Sequence, residues 1–391
     1  MHMDPIMASV VGAIFLMLSA GLVLHHLRQP FVVAYLLAGV MIGPHGLRLI
    51  DDQLLISRIG AFGIILLLFF IGMEISPRQL TRNWKVAVFG TLLQILLSVA
   101  CVWGIGAWLD WEIYRIIMLG FVISLSSTAV VLKLLKDWNE LDTPCGQDVI
   151  SILLVQDIAV VPMMLILDYI GGGHQQTGQV LVQLVAGAAI VLLLIWLAMR
   201  ESVQIPWLRW LKGDQEIQLF GSLAICFGIA WLTGLLGLST ALGAFVAGAV
   251  IGAARETHWV HESLDGFRML FMAVFFVSIG MMLDLHFLLE NLHVILLLVL
   301  LVLLSNTLLN AAILRMLGDP WRENLYSGAM LAQVGEFSFL IAAVGFQSGA
   351  ISEYGYQLVI AMISLSLFAS PAWIQLARKL LSIDRARADC A

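Results

Sequence analysis

Long apolar runs separated by short charged loops restrict the fold of this sequence more than any other feature. Of its 391 residues, 61% are hydrophobic and 12% are charged. A run of about 20 apolar residues is long enough to cross the hydrocarbon core of a bilayer as an α-helix. A backbone in lipid must satisfy its own hydrogen bonds, and these runs are too long and too apolar for barrel strands. The sequence therefore predicts an all-α polytopic protein surrounded by membrane lipid.

Thirteen transmembrane helices are predicted from these runs. The cationic residues support the count, because 17 of the 20 Lys and Arg residues fall in loops on one side if the N-terminus lies outside. Loops rich in Lys and Arg are cytoplasmic by the positive-inside rule, so the C-terminus is expected in the cytoplasm. The predicted spans are 6–25, 31–44, 55–75, 84–109, 114–135, 147–170, 178–199, 217–236, 238–254, 266–284, 286–317, 321–348 and 355–380.

Two short motifs recur at nearly the same distance along the chain. "LLAGVMIGP" is echoed by "FVAGAVIGA", and "FFIGMEI" by "FFVSIGMML", with offsets of 209 and 208 residues between their glycines. The offset corresponds to seven spans, so the second copy must cross the bilayer in the opposite direction, as in the inverted repeats of secondary transporters. The chain is accordingly divided into a first repeat (1–176), a linking span and loop (177–215) and a second repeat (216–391).

A carboxylate lies in the middle of the apolar stretch "SILLVQDIAVVP", where Gln156 and Asp157 are adjacent. A charged residue at the centre of a membrane helix costs roughly 2.5–3.5 kcal/mol on insertion scales. An intramembrane carboxylate of this kind is functional by default, whereas Gln156 can also be read as a hydrogen-bonding brace.

The fifth and twelfth spans also carry polar residues at mid-depth. We expect both helices to unwind, near Ser126–Thr128 and near Gly335, so that free carbonyls and hydroxyls face a cavity suited to an alkali cation. The simpler reading is that Ser and Thr bond back to their own backbone, that Glu336 only holds the broken helices together, and that Glu74 has a structural or gating role. The candidates are Ser126, Ser127, Thr128, Gln333, Gly335 and Glu336.

Several classes of protein are disfavoured by the composition. The net charge of −6 is small and dispersed, which predicts no nucleic-acid partner. The four cysteines are far apart without a CxxC pair, so neither a disulfide framework nor a metal site is indicated. No pairing of a nucleophile with a base is apparent, so we expect no enzyme, no catalytic residues and no cofactor.

Five stretches, taken in order, closely resemble the Kef-type potassium:proton antiporters of the second monovalent cation:proton antiporter family. They are "FFIGMEISPRQL", "SLSSTAVVLKLL", "LLVQDIAVVPMM", "LFMAVFFVSIGMMLDL" and "LAQVGEFSFLI". The resemblance implies a sodium:proton-antiporter-like fold and a homodimer in a bacterial inner membrane. It also implies elevator-like movement of spans 4–6 and 11–13 against a scaffold of spans 1–3 and 8–10. Asp157 would bind cation and proton in turn, and Gln156 favours potassium, with K⁺ held by Asp157, Gln156 and Thr128.

Two departures from the family pattern qualify this expectation. Asn306 stands where members often have a basic residue, which removes the cationic partner that some mechanisms give to the carboxylate. The sequence after the last predicted span also lacks GxGxxG, so no cytoplasmic nucleotide-binding domain is expected in this chain and any regulatory domain or subunit would be separate.

One carboxylate holds one proton or one monovalent cation, so competition at Asp157 predicts one-for-one, electroneutral exchange of K⁺ for H⁺. A sodium:proton antiporter of the same fold is the near alternative. A channel-like K⁺ efflux protein would need a continuous polar path, whereas these polar residues cluster at one depth. An organic-anion symporter would need a cationic side chain at mid-depth in the broken spans, which have none.

Overall fold

The computed structural model describes residues 31–74, 84–141, 143–171, 215–236, 240–254, 260–317 and 320–381, with scattered positions between 11 and 21 and at 193 and 196. The regular elements of these ranges are helices. They are α1 (Phe31–Ile42), α2 (Gln53–Glu74), α3 (Trp84–Trp108), α4 (Ile113–Ser124), α5 (Thr128–Asp137), α6 (Pro144–Gly171), α7 (Gln215–Leu235), α8 (Thr240–Ala253), α9 (Val260–Met282), α10 (Leu285–Glu290), α11 (Leu292–Leu317), α12 (Trp321–Met330), α13 (Phe337–Gln347) and α14 (Glu353–Leu380).

Five of the described helices are long and apolar enough to cross a membrane. They include Lys85–Trp108, Leu292–Leu317 and Glu353–Leu380. Most of the predicted seventh span, 178–199, and most of the first, 6–25, lie outside the described residues. The count of thirteen spans therefore stays a prediction, while the regular structure of the described part of the chain is all-helical.

The predicted span 286–317 is wrong as a single helix. It consists of the short α10 and the 26-residue α11. The side chain of Asp284 caps α10 by accepting hydrogen bonds from the backbone N–H groups of His286 and Phe287, at 2.8 and 3.2 Å. The α10 helix ends at Asn291, which leaves the helical conformation (φ −102°, ψ 13°). Capping at both ends separates this turn from the longer helix.

Both spans that were predicted to unwind are interrupted in the structure. The fifth span is α4 and α5, separated by an extended segment in which Leu125 has φ −90° and ψ 128°. Ser127 then caps α5, since its side chain accepts a hydrogen bond from the backbone N–H of Val130. The twelfth span is α12 and α13, separated by residues 331–336. The expected breaks near Ser126–Thr128 and Gly335 are therefore confirmed.

The chain forms two compact units, and each takes helices from both halves of the sequence. Unit 1 contains 1–21, 35–81 and 158–282, whereas unit 2 contains 22–34, 82–157 and 283–391. The boundary divides α6 directly after Asp157. The predicted repeats at 1–176 and 216–391 follow a different division, and they stay a prediction.

Unit 1 is held together by close helix crossings at glycines. A Cβ on Gly39 of α1 would lie 2.2 Å from the carbonyl oxygen of Val277 in α9, and a Cβ on Gly248 of α8 would lie 1.9 Å from that of Phe69 in α2. Backbones can approach this closely only without side chains between them, which is how small residues pack membrane helices. These crossings use the glycines of the two echoed motifs.

Unit 2 turns polar side chains inward and leucines outward. On α3, Thr91, Gln94 and Ser98 are all at most 1% exposed, while Leu92 and Leu96 are 51% and 64% exposed. On α11, Asn306 and Asn310 are likewise buried, and Leu297, Leu301 and Leu308 are exposed. Residues three and four apart share one helix face, so each helix has an internal polar face and an apolar face suited to lipid.

Candidate functional site

The carboxylate of Asp157 contacts the first residue of α5. The Thr128 hydroxyl donates to it and lies 3.1 Å from each carboxylate oxygen. Thr128 begins α5, so this contact brings the carboxylate to the positive end of that helix dipole. The break between α4 and α5 is what allows a threonine in mid-span to present a free hydroxyl at a helix N-terminus. The structure therefore brings Asp157 and Thr128 into contact, and their binding of an ion stays a prediction.

Glu336 lies near Asp157, and the two side chains interact electrostatically. Glu336 immediately precedes α13 and is 6% exposed. Two ionised carboxylates in this arrangement would repel, and a proton or a cation held at Asp157 would reduce that repulsion. Asp157 itself is partly exposed, so a small ion can approach it.

Gln156 is oriented differently from its neighbour and is completely buried. Its Oε1 accepts a hydrogen bond from the backbone N–H of Ser126 at 3.0 Å. Its Nε2 donates to Gln94 Oε1 at 2.7 Å and to the carbonyl oxygen of Ser124 at 3.3 Å. In this conformation the amide is occupied by the broken helix, so direct coordination of K⁺ by Gln156 stays a prediction.

The carbonyl groups at the end of α4 have hydrogen-bond donors, contrary to the expectation that they would be free. A helix leaves its last four carbonyls without partners inside the helix. Here Ser338 Oγ donates to Val122 O at 2.6 Å, and the backbone N–H of Gly335 donates to Leu125 O at 2.7 Å. The Gln94 amide donates to Ser124 O at 2.9 Å. The side chains of neighbouring helices thus replace the missing helical turn.

Asn306 joins the two broken helices. Its Nδ2 donates to Ile123 O at the end of α4 (2.8 Å) and to Ala332 O after α12 (3.1 Å). A neutral amide therefore occupies the position at which a basic residue would meet these carbonyl groups. Its Oδ1 is buried without a hydrogen-bond partner among the described residues.

The two breaks are also in direct contact with each other. Ser126 Oγ donates to Leu331 O at 2.7 Å, and Gln333 Nε2 lies 3.5 Å from Ser127 O. A Cβ on Gly335 would lie 2.4 Å from the carbonyl oxygen of Ser126, so only glycine fits at this crossing. Glu74 is the one predicted residue that is not placed near the breaks. It ends α2, in unit 1, and its side chain lies outside the described structure.

Gln94 contributes hydrogen bonds to the site but was not among the predicted residues. The signal for Gln94 was the same as for Gln156, a lone amide in an apolar run, here "TLLQILL". Thr91, Gln94 and Ser98 also share one helix face, and that spacing indicates a buried polar surface.

A second buried polar cluster lies in unit 2 and was missed by the sequence reading. Glu140, which is fully buried, accepts a hydrogen bond from the Tyr326 hydroxyl at 2.8 Å and lies 3.7 Å from the guanidinium of Arg378. The same guanidinium lies 4.8 Å from the ring centroid of Trp138. These contacts connect the loop after α5 to α12 and α14, and they hold the α5 half of the first broken helix against the second broken helix.

Known proteins with similar sequences are transporters. The chain is 36% identical to the iron transporter MagA of Paramagnetospirillum magneticum over 380 residues, covering 97% of this chain and 87% of the relative. It is 33% identical to the K⁺ efflux antiporter 5 of Arabidopsis thaliana, covering 91% of this chain and 64% of that protein. It is 31% identical to the glutathione-regulated potassium-efflux system protein KefC of Escherichia fergusonii, covering 89% and 57%. The chain thus spans less than two thirds of these two potassium transporters.

A solved structure has a similar fold. The sodium proton antiporter MjNhaP1 from Methanocaldococcus jannaschii at pH 8 superposes with a TM-score of 0.71, covering 97% of this chain and all of that chain, at 18% identity. This identity is low, so the likeness shows the fold alone.

The family described as sodium/hydrogen exchanger, transmembrane, matches residues 12–377. This match and the named relatives confirm the predicted family resemblance. They also confirm that the protein is a transporter and not an enzyme, and that its ions are transported substrates in a family without cofactors. The chain therefore belongs to the sodium/hydrogen exchanger family of multi-pass membrane cation:proton antiporters.

Proposed function

We propose that this chain exchanges K⁺ for H⁺ by competition of the two ions for Asp157. The observation that carries the proposal is the position of this carboxylate, which is partly exposed and bound by Thr128 where two broken helices cross. A carboxylate loaded with a proton or a monovalent cation is close to neutral, whereas the empty, charged form crosses a low-dielectric barrier at high cost. Transport of either ion therefore requires release of the other.

Exchange is proposed to be electroneutral. Asn306 contacts both broken helices with a neutral amide, so no cationic side chain at this position gains or loses charge when Asp157 is loaded. One proton then replaces one monovalent cation, and the charge moved in each direction is the same. We propose potassium and not sodium as the transported cation on two grounds: the Gln-Asp pair in this sequence, and relatives that are named K⁺ efflux antiporters.

We further propose an elevator mechanism in a homodimer of the bacterial inner membrane, with the N-terminus outside. Two compact units support it, because unit 2 carries the ion site while unit 1 is a separately packed set of helices. The thirteen spans and inverted repeats belong to the same proposal. The glycine crossings support the repeats. Gly39 of the first repeat packs on the backbone of α9 at Gly280, and its counterpart Gly248 in the second repeat packs in the same way on the backbone of α2.

The test is ion-driven proton movement in proteoliposomes that contain a pH-sensitive dye. Wild-type protein is expected to move protons in response to K⁺, and Asp157→Asn is expected to abolish this movement while leaving folded protein. Glu112→Gln is the control, because Glu112 is exposed and makes no side-chain cap to α4. Normal K⁺-driven proton movement by Asp157→Asn would contradict the proposal.

The same assay separates the alternatives. Na⁺-driven exchange without K⁺-driven exchange would identify a sodium:proton antiporter, the activity named for the protein with the similar fold. Fe²⁺ is included because one relative is named an iron transporter. Unitary currents without coupling to protons would identify a channel, and a rate that changes with an imposed membrane potential would contradict electroneutrality.

A further inference from the structure

Gln94 of α3 contacts Gln156, the neighbour of Asp157, and its side-chain amide can form its hydrogen bonds in only one orientation. Its Nε2 donates to the carbonyl oxygen of Ser124, which can only accept, so its Oε1 must face Gln156. Gln156 must then present its Nε2 to Gln94 and its Oε1 to the backbone N–H of Ser126, which can only donate. Fixed backbone polarity at both ends thus determines the orientation of both amides.

This chain of hydrogen bonds has its two ends on the segment that connects α4 to α5. Ser124 O and Ser126 N flank the break, and Thr128 follows two residues later. Gln156 is also the covalent neighbour of Asp157. The amide pair therefore fixes the distance between the break and α6 at the level where the Thr128 hydroxyl meets the Asp157 carboxylate. Both amides are buried, Gln94 at 1% and Gln156 at 0% exposure, so water does not replace these bonds.

We propose that Gln94 is a positioning residue for the cation site, acting through Gln156 to set the separation of Thr128 and Asp157. The inference rests on the proposed exchange at Asp157 and adds a determinant of its ion preference. A dehydrated cation is recognised by the spacing of its oxygen ligands. Loss of the brace lets the Gln156 amide rotate and the break shift, so the site discriminates less between K⁺ and the smaller Na⁺.

Gln94→Met is the variant that removes both hydrogen bonds at similar side-chain length. Two controls lie on the same buried face of α3. Thr91→Val removes a different bond from α3 to α6, from the Thr91 hydroxyl to Ile152 O at 3.3 Å, and Ser98→Ala removes a buried hydroxyl that makes no hydrogen bond among the described residues. A merely structural role for the polar face of α3 would affect all three variants alike.

Transport kinetics in proteoliposomes provide the first measurement. Gln94→Met is expected to raise the apparent KM for K⁺ by about tenfold, the effect of one net hydrogen bond, and to lower the K⁺/Na⁺ preference while kcat changes little. The controls are expected to keep both values. The double variant Gln94→Met/Gln156→Met is expected to raise KM by less than the combined effect of the two single variants, because the two amides belong to one hydrogen-bonded chain. Additive effects, or a KM like that of the controls, would overturn the inference.

Hydrogen–deuterium exchange of the peptide covering residues 124–128 tests the positioning without transport. Faster exchange in Gln94→Met than in both controls is expected, since the Ser126 N–H loses its fixed acceptor; equal exchange would refute the brace. If wild-type protein moves no protons with any cation, the proposed function fails. The hydrogen–deuterium exchange rates still show whether Gln94 holds the segment between α4 and α5 in place. Should Gln94→Met not fold, Gln94→Asn, one methylene shorter, serves in both measurements with a smaller increase expected.

Discussion

Neighbouring residues on one helix have separate tasks at this site. Gln156 and Asp157 are adjacent on α6, and successive side chains on a helix point about 100° apart. Gln156 is therefore directed into the packing between α3 and the break, while Asp157 remains accessible. The sequence left open whether Gln156 binds the ion or acts as a hydrogen-bonding brace, and its contacts in the structure are those of a brace.

Thr128 is predicted to affect cation binding at the residue scale. Thr128→Val keeps the shape of the side chain but removes the hydroxyl that donates to the carboxylate and that, under the proposed function, would offer an oxygen to the ion. Because hydrogen bonds to charged groups contribute about 1.5–3 kcal/mol, the apparent KM for K⁺ should rise about tenfold or more in the proteoliposome assay. Thr128→Ser retains the hydroxyl and is expected to stay near the wild-type value. Equal KM values for the two variants would show that the hydroxyl has no part in binding.

The two broken helices support each other at the scale of elements. Their interruption leaves carbonyl groups without helical partners, and each break donates to the other through Ser126, Gly335 and Ser338. Asn306 adds a bridge to both. Neither break would be satisfied alone, so they form one polar structure within the membrane.

Gly335→Ala is predicted to separate the breaks. Its Cβ would meet the backbone of Ser126 and Ser127, at 2.4 and 2.9 Å, and backbone atoms cannot move aside as a flexible side chain can. Overpacking of this kind costs about 1–3 kcal/mol, so we expect a lower midpoint of thermal unfolding and loss of exchange. Gly104→Ala on α3 is the matched control, because nothing lies within 4 Å of its Cβ. It should be neutral or slightly stabilising, and a similar loss in both variants would contradict the argument.

The sequence predicted where the two broken helices are interrupted, but it did not predict which residues form hydrogen bonds with the interrupted segments. Polar residues within apolar runs located both breaks, because such residues are costly in lipid unless the helix there has another role. The same pattern could not show that Ser338, Asn306 and Gly335 satisfy the carbonyl groups of α4, since those contacts cross more than 180 residues of chain. The cap at Asp284 was also missed, because a single Asp at the edge of an apolar run reads as a loop.

The whole molecule is arranged so that helices distant in sequence share a unit. Unit 2 combines 82–157 with 283–391, and unit 1 combines 35–81 with 158–282. Both units contain close glycine crossings, but the buried hydrogen bonds between different helices that surround Asp157 all lie in unit 2. Under the proposed mechanism, unit 2 would therefore be the part that carries the ion.

Movement of unit 2 as a body is predicted for the elevator mechanism. Fluorescent labels on unnatural amino acids at exposed positions 51 and 290 would report on the two units, and labels at 112 and 290 would both lie in unit 2. Energy transfer between 51 and 290 should change when K⁺ is exchanged for low pH, because the loaded ion shifts the population of states. Transfer between 112 and 290 should remain constant. No change in the first pair across these conditions would contradict an elevator.

The bridges across the breaks also determine when this protein can finish folding. Ile123 receives its donor from Asn306, 183 residues later, and Val122 from Ser338, 216 residues later. At about 5–20 residues per second, translation supplies these partners roughly 10–40 s after α4 emerges from the ribosome. During that interval the carbonyl groups of Val122 and Ile123 lack these two donors, and membrane lipid cannot replace them. The newly inserted first half must therefore be sheltered, by water or by the insertion machinery, until the last helices arrive.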